Sequence, residues 1–111
     1  MSVAAVNLIL EKGTDFEAEF NIQTSDASPL ILSNYTGVAK IRKYPTSPIS
    51  YNFVVAIDPI DPIIKITMSK INTMKLESGR NYFDIFITET ISGLTSKAIE
   101  GSIIVYDSIS V

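Results

Sequence analysis

The stretch ESGRNYFDIFITE, residues 77–89, reads as a tight turn at Ser78-Gly79 followed by one long β-strand. Successive side chains of a strand point to opposite faces, so residues taken in twos share a face. One face of this strand is mostly apolar, which is typical of a strand that covers a core. The opposite face still carries Tyr82 and Phe86. The pattern therefore predicts either a central strand wrapped by core on both faces or a strand whose outer face is covered by another subunit.

The β pattern extends along nearly the whole chain. Runs rich in Ile, Val, Thr, Tyr and Phe are bounded by turn residues, which predicts strands over residues 3–10, 15–24, 29–32, 38–44, 49–57, 63–68, 80–90 and 95–106. Residues 69–76 break the pattern, with Ser69 placed to cap a helical turn and Ile71, Met74 and Leu76 expected to pack inward. We therefore predict a single all-β domain over residues 1–111. It would be an antiparallel Ig-like β-sandwich of seven to eight strands with one short helical turn near residues 69–76.

The composition narrows the range of functions. The chain has 111 residues, of which 46% are hydrophobic and 19% charged, and its net charge is -3. Such a chain is not expected to bind nucleic acid, and its longest apolar runs are too short for a membrane-spanning helix. Cysteine and histidine are absent, which excludes disulfides, a histidine-based triad and zinc sites built from these ligands. We expect no enzymatic activity and no cofactor.

Two acidic pairs are candidates for chemistry. Asp58 and Asp61 are three residues apart in a proline-rich turn, where turn formation is the favoured role and calcium binding the alternative. Glu17 and Glu19 lie on the polar side of the predicted strand 15–24. We interpret them as a solvated face rather than as a catalytic pair.

Basic residues cluster at Lys40, Arg42 and Lys43. A phosphate or nucleic-acid contact is one interpretation, and the favoured one is a charged edge strand that blocks unwanted strand pairing. Asp84 lies in the middle of the predicted strand 80–90. We expect it to pair with a basic neighbour across the sheet such as Arg42, and a half-buried functional carboxylate is the alternative.

Four segments occur in the order in which a known family has similar elements: LEKGTDFEAEFNI, LSNYTGVAKIRK, ITMSKINTMKLESGRNYFDIFI and AIEGSIIVYDSIS. They resemble the small virion structural proteins of tailed bacteriophages of the marine myovirus type, which are similar to the N-terminal β-sandwich domain of upper-baseplate proteins. The matching residues are Lys12-Gly13-Thr14-Asp15-Phe16, Asn34-Tyr35-Thr36-Gly37, Thr73-Met74-Lys75-Leu76 with Gly79, and Glu100-Gly101 with Val105. Asn81 stands where the family has a tyrosine, and the family's proline near the final strand is missing. The resemblance implies a β-sandwich, an assembly role and no catalytic residues.

We therefore predict a non-enzymatic phage virion structural protein that assembles with other virion proteins in the tail or baseplate, as a homo-oligomer or symmetric assembly. A capsid decoration protein on the head surface is the alternative. A host-surface carbohydrate-binding module is less favoured, because sugar sites favour exposed tryptophan and the chain has none. The protein would be made in the host bacterial cytoplasm and located in the virion. The interface candidates are Tyr82, Phe86, Ile104 and Tyr106, since their two strands are apolar on both sides.

Overall fold

The computed structural model describes residues 4–21, 34–58 and 63–107, and these form an all-β structure, as predicted. The elements are β1 Ala4–Glu11, β2 Phe16–Asn21, β3 Tyr35–Arg42, β4 Tyr51–Asp58, β5 Ile63–Met68, the short helix α1 Lys70–Thr73, β6 Gly79–Glu89 and β7 Thr95–Tyr106. β5 and β7 have their predicted bounds, whereas β3 begins at Tyr35 instead of Val38. The strand predicted over residues 29–32 lies outside the described residues.

The seven strands form one sheet in the order β1-β7-β6-β3-β4-β5-β2. β1 and β2 are the two edges of this order, yet only residues 12–15 connect them. Five peptide steps span at most about 18 Å, so the two edges must approach each other at this turn. The sheet therefore curls into a nearly barrel-shaped body, and the side chains on its concave side form the core.

β4 allows the sheet to curl because it pairs with β3 over its first residues and with β5 over its later residues. Its first residues pair with β3, with Phe53 opposite Ala39 and Tyr51 opposite Ile41. Its residues from Val54 onward pair with β5 instead. One strand thus belongs to both halves of the curled sheet, as in packings where strands pass from one sheet to another at a corner.

β1 runs parallel to β7, which corrects the prediction of a fully antiparallel sandwich. The register runs from Ala4 opposite Ile99 to Glu11 opposite Tyr106. The alternation of apolar and polar residues indicates that a strand has one buried face. It does not indicate whether the neighbouring strand is parallel or antiparallel. The pairing depends on Gly101, because a Cβ atom there would overlap the carbonyl oxygen of Val6. Only a residue without a side chain permits so close a backbone approach.

The core is built mainly from aliphatic side chains that point to the concave side of the sheet. The largest fully buried apolar ones are Leu10, Ile41, Ile64, Ile66, Ile85, Ile87, Ile99, Ile103 and Val105. Across the core, the ring of Phe20 in β2 stacks on that of Phe83 in β6, with centroids 6.3 Å apart. The inner sides of β2 and β6 thus face each other, and their outer sides point to opposite sides of the molecule.

A β-bulge in β7 sets which of its side chains point outward. Ile85 of β6 pairs with Ile99 and Phe86 pairs with Lys97, so Ala98 is an extra residue in β7. Ala98 and Ile99 are consecutive and both buried. The bulge therefore returns Lys97 to the outer side of the sheet, beside Phe86.

The helical turn α1 starts at the predicted place but packs differently. The side chain of Ser69 at the N-cap makes no capping hydrogen bond, and the Asp15 carboxylate accepts one from the Lys70 N–H at 2.8 Å instead. The prediction that Ile71 and Met74 pack inward is wrong, since they are 70% and 44% exposed. A helix of four residues offers a narrow inner side, and Thr73 occupies it.

Thr73 fastens α1 to the turn between β1 and β2. It is fully buried, and its hydroxyl accepts a hydrogen bond from the Gly13 N–H at 3.0 Å and donates one to the Thr14 carbonyl at 2.9 Å. Burial of a hydroxyl is tolerated because both of its roles are satisfied. This contact holds the end of the barrel at which its two edge strands meet.

Asn81 is the buried polar side chain of β6. It is 2% exposed, and its amide donates hydrogen bonds to the carbonyls of Glu77 at 2.8 Å and Gly79 at 3.2 Å. Gly79 adopts a positive φ of 101°, which an L-residue with a side chain rarely adopts. The predicted turn at Ser78-Gly79 is thereby closed by the side chain that follows it.

Candidate interaction surface

The outward-pointing side chains of β1, β3, β6 and β7 form a continuous surface, here called the outer face. All four interface candidates lie on it. Tyr82 and Phe86 of β6 are each 37% exposed and Tyr106 of β7 is 53% exposed, whereas Ile104 of β7 is half-buried. None of them belongs to the core cluster. The second apolar side of β6 therefore points away from the core and is not wrapped by it.

Phe86 is the centre of the first apolar patch on the outer face. Val38 of β3 lies opposite Phe86 in the register and is 53% exposed. On the other side, the Lys97 ammonium lies 5.5 Å from the centroid of the Phe86 ring, a cation–π distance. Lys97 also pairs with Glu100 at 3.2 Å. Phe86 is thus held from both sides while its ring remains accessible.

A second apolar patch lies toward the C-terminal end of β7. Ile104 lies between Arg80 of β6 and Ile9 of β1 in the register, and Ile9 is 69% exposed. Tyr106 lies opposite Glu11 at the end of the same parallel pair. The two apolar patches are separated along the sheet by Tyr82 and by the charged side chains around it.

Those charged side chains include a group of three basic residues, Lys40, Arg42 and Arg80, which we call the cationic cluster. Arg42 lies directly opposite Tyr82, which places their Cβ atoms about 5 Å apart. Arg80 is two residues before Tyr82 on the same face, so it is a diagonal neighbour of Arg42, about 7–8 Å away. In the part of the chain that the structure describes, no ion pair involves any member of this cluster.

The prediction that the basic run marks an edge strand is wrong. β3 lies between β6 and β4 in the sheet, so both of its edges are paired. Lys40 and Arg42 point to the outer face, whereas Lys43 follows the strand and donates a hydrogen bond to the Ser78 carbonyl at 2.8 Å. Only the first two residues of the run therefore contribute charge to the outer face.

The cationic cluster lines a shallow groove of about 500 Å³ on the outer face, together with Tyr82, Glu100 and Ser102. Within it the Nε atom of Arg42 is shielded from solvent, and no acceptor among the described residues is within hydrogen-bonding distance. A shielded donor without an acceptor is rare in folded proteins. The groove thus has more hydrogen-bond donors than its own side chains satisfy.

Asp84 lies in this groove but is not paired with Arg42 as the sequence predicted. In the register Asp84 lies opposite Lys40 of β3 and opposite Glu100 of β7. Arg42 lies one pair further along, opposite Tyr82. Asp84 is half-buried, and none of the ion pairs among the described residues involves it.

The opposite side of the molecule carries acidic residues. Glu17 and Glu19 of β2 are both exposed, as expected for a solvated face, and Glu17 pairs with Lys65 of β5 at 3.3 Å. Glu19 and Asp58 line a second depression of about 500 Å³. Asp61, the proposed partner of Asp58, lies outside the described residues. We call Glu17, Glu19 and Asp58 the acidic surface.

The residues that the sequence reasoning missed are those that join the outer face only through strand pairing. Arg80 is far from Lys40 and Arg42 along the chain, and Ile9 and Val38 lie on strands that show no excess of apolar residues on both sides. Their positions follow from the register of β1 with β7 and of β3 with β6. The parity of Arg80 with Tyr82 was the one signal in the sequence that could have placed it.

Among the described residues, two titratable groups have shifted pKa values, and both lie away from the groove. Burial raises the pKa of Tyr35, and the nearby Glu89 raises it further, with the Tyr35 hydroxyl 3.4 Å from its carboxylate. A hydrogen bond from Ser78 and the charge of Lys12 lower the pKa of Asp107. Both groups are at strand ends and hold neighbouring segments together, so these shifts have structural causes.

Comparison with models of known protein families gives no match, and comparison with curated protein sequences finds none that is similar. Among residues 4–21, 34–58 and 63–107, no three acidic side chains are grouped so that they could hold a metal ion. In the same ranges, no helix is long and apolar enough to cross a membrane. The outer face is therefore the feature of the described structure on which a functional proposal can be built.

Proposed function

We propose that this chain is a non-enzymatic structural protein of a tailed-phage virion, which assembles with other virion proteins in the tail or baseplate. The sequence support is the four ordered segments that resemble such proteins. The structural support is the outer face, where Tyr82, Phe86 and Tyr106 are exposed on strands paired along their length. Large aromatic side chains beside arginines are the typical anchors of protein–protein interfaces.

The rigidity of the outer face favours docking over other roles. β6 pairs with β7 from Gly79 to Thr88 and with β3 from Tyr82 to Glu89, so its side chains project from a backbone that is already ordered. Docking such a surface costs little additional conformational entropy. Within this proposal the curled sheet is a variant of the Ig-like sandwich in which β4 is shared by both halves.

The experiment that tests the proposal is mass spectrometry of purified phage particles, followed by immunogold electron microscopy with antibody to this protein. We expect the protein in stoichiometric amounts in the particles and gold at the tail or baseplate. Gold over the head would instead make it a capsid decoration protein. Absence from purified particles, with the protein present in infected cells, would overturn the virion role.

A further inference from the structure

We propose that copies of this chain associate head to tail, with the cationic cluster of one copy against the acidic surface of the next. This inference rests on the proposed assembly function and names one partner for the outer face, which is a second copy of the chain. The main support for the inference is that groups of opposite charge lie on opposite sides of the same domain.

The geometry places the two surfaces back to back. Phe20 and Phe83 stack across the core at 6.3 Å, so the outward side chains of β2 point away from those of β6. Glu17 and Glu19 alternate with Phe20 on β2, and Arg80 and Tyr82 alternate with Phe83 on β6. The acidic surface and the cationic cluster therefore cannot meet within one molecule, but they can meet between two.

The charges on the two surfaces are complementary. The groove contains three cations against the single carboxylate of Asp84, after Lys97 and Glu100 are set aside as a mutual pair. On the acidic surface, Glu17 and Glu19 of β2 share the ammonium of Lys65 among the described residues, since Glu17 pairs with it and Glu19 lies opposite it in the register. The chain as a whole is negative at -3, so the cationic cluster is a local exception that can steer an acidic surface to this site.

The hydrogen-bonding groups are complementary as well. Arg42 and Arg80 present guanidinium groups, which bind carboxylates in a bidentate manner, and the described structure offers neither of them an ion-pair partner. Exposed apolar side chains accompany the charges on both sides, with Tyr82 at 37% and Val54 at 69% exposure. A contact between the two surfaces would thus combine ion pairs with the burial of apolar area.

The symmetry of such a contact follows from its two different halves. An interface that joins unlike surfaces is heterologous. In an open row of copies, the first copy therefore keeps one kind of surface free and the last copy keeps the other kind free. Repetition gives a closed ring where the rotation between copies closes and an open filament where it does not. Both products are compatible with a repeated element of a virion tail.

Analytical ultracentrifugation of the purified protein tests the inference through charge reversal. One variant, Arg42→Glu with Arg80→Glu, inactivates the cationic cluster. The other, Glu17→Lys with Glu19→Lys, inactivates the acidic surface. The wild-type protein should self-associate at about 0.02 M salt and dissociate at about 0.5 M, where the Debye length falls to about 4 Å.

Each variant alone should be monomeric, because both of its surfaces then carry charge of the same sign. An equal mixture of the two should associate again with the copies alternating, because every contact in it joins an acidic surface to a cationic one. A chain with all four substitutions should self-associate again, since both surfaces are then reversed. A wild-type protein that stays monomeric at low salt, or a mixture that does not pair, would overturn the inference.

Two controls keep the test decisive. Lys70→Glu with Lys75→Glu changes the net charge by the same amount as Arg42→Glu with Arg80→Glu, but at exposed positions outside both surfaces. This control variant should associate like the wild-type protein. If Arg42→Glu with Arg80→Glu does not fold, Arg42→Gln with Arg80→Gln removes the charge more mildly and should weaken association roughly tenfold. Failure of self-association in solution leaves detection in purified particles unaffected, so the two proposals can fail separately.

Discussion

The carbonyl oxygen of Val6 lies where the side chain of residue 101 would begin. At Gly101 the backbone of β1 packs directly against β7, and a residue with a side chain would leave no room for the Val6 carbonyl oxygen. The glycine in the Glu100-Gly101 element therefore has a defined structural role, which is to let the first strand lie against the last.

Gly101→Ala should detach β1 from β7 without unfolding the rest of the sheet. The added methyl group would overlap backbone rather than a movable side chain, and we expect a loss of about 1–3 kcal/mol or more in the free energy of unfolding. Hydrogen exchange should show faster exchange in Ala4–Glu11 than in β3 and β6. Ser96→Ala, at an exposed position of β7 outside its pairing with β1, is the matched control and should retain slow exchange in β1.

Phe86→Asp should leave the isolated protein folded and prevent its assembly. Phe86 is 37% exposed and its new carboxylate would lie beside Lys97, so we expect a loss below about 1 kcal/mol. Thermal melting and incorporation into particles measure the two effects. Phe83→Asp, which buries an unpaired charge at a site only 4% exposed, should cost more than about 4 kcal/mol. Comparable destabilisation by both substitutions would contradict the outward position of Phe86.

Thr73→Val should loosen the turn that joins the two edge strands. Valine keeps the shape but cannot accept the hydrogen bond from the Gly13 N–H, and a buried donor left without a partner costs about 1–3 kcal/mol. Urea unfolding of this variant is compared with Thr36→Val, an exposed position on β3 that should change stability by less than about 0.5 kcal/mol. Equal stability of the two variants would argue against a structural role for the Thr73 hydroxyl.

Asp107 should make the stability depend on pH in the acid range. The Ser78 hydroxyl donates to it at 2.6 Å and the Lys12 ammonium lies 3.6 Å away, so its pKa in the folded protein is below the ordinary value of 3.8. A lowered pKa of an acid stabilises the folded state above pH 3.8, and this contribution is lost as the pH falls through the lower folded value.

Urea unfolding across this range compares the wild-type protein with Asp107→Asn. The difference in stability should be constant near neutral pH and should disappear in acid. In a Ser78→Ala background the difference should already be smaller at neutral pH, because the main cause of the shift is gone. A difference that grows in acid would contradict the sign of the shift.

Much of the fold could be predicted from the sequence, since strand formation is recorded locally. Alternating residues and turn residues placed β5 and β7 within their observed bounds. The direction of β1 could not be predicted, because it depends on a pairing between residues almost a full chain length apart. The packing of α1 was wrong for a related reason: a four-residue helix is positioned by Thr73 and its distant partners Gly13 and Thr14.

The residues of the candidate surface could be predicted only where the pattern within a single strand was sufficient to select them. Tyr82 and Phe86 could be selected because their strand is apolar on both sides. The cationic cluster needs the register of β3 against β6, which brings Arg42 beside Tyr82 and Arg80. Asp84 was assigned the wrong basic neighbour for the same reason, since a shift of two residues in register decides between Lys40 and Arg42.

The parallel pairing of the first and last strands has a mechanical consequence. Force applied through the segments before Ala4 and after Tyr106 would pull β1 and β7 in opposite directions along their length. The backbone hydrogen bonds of the pair would then be loaded together in shear, rather than opened one at a time as in peeling. A protein pulled by its two ends would thus resist through all of these hydrogen bonds at once, and Gly101 is the residue whose lack of a side chain allows the pairing.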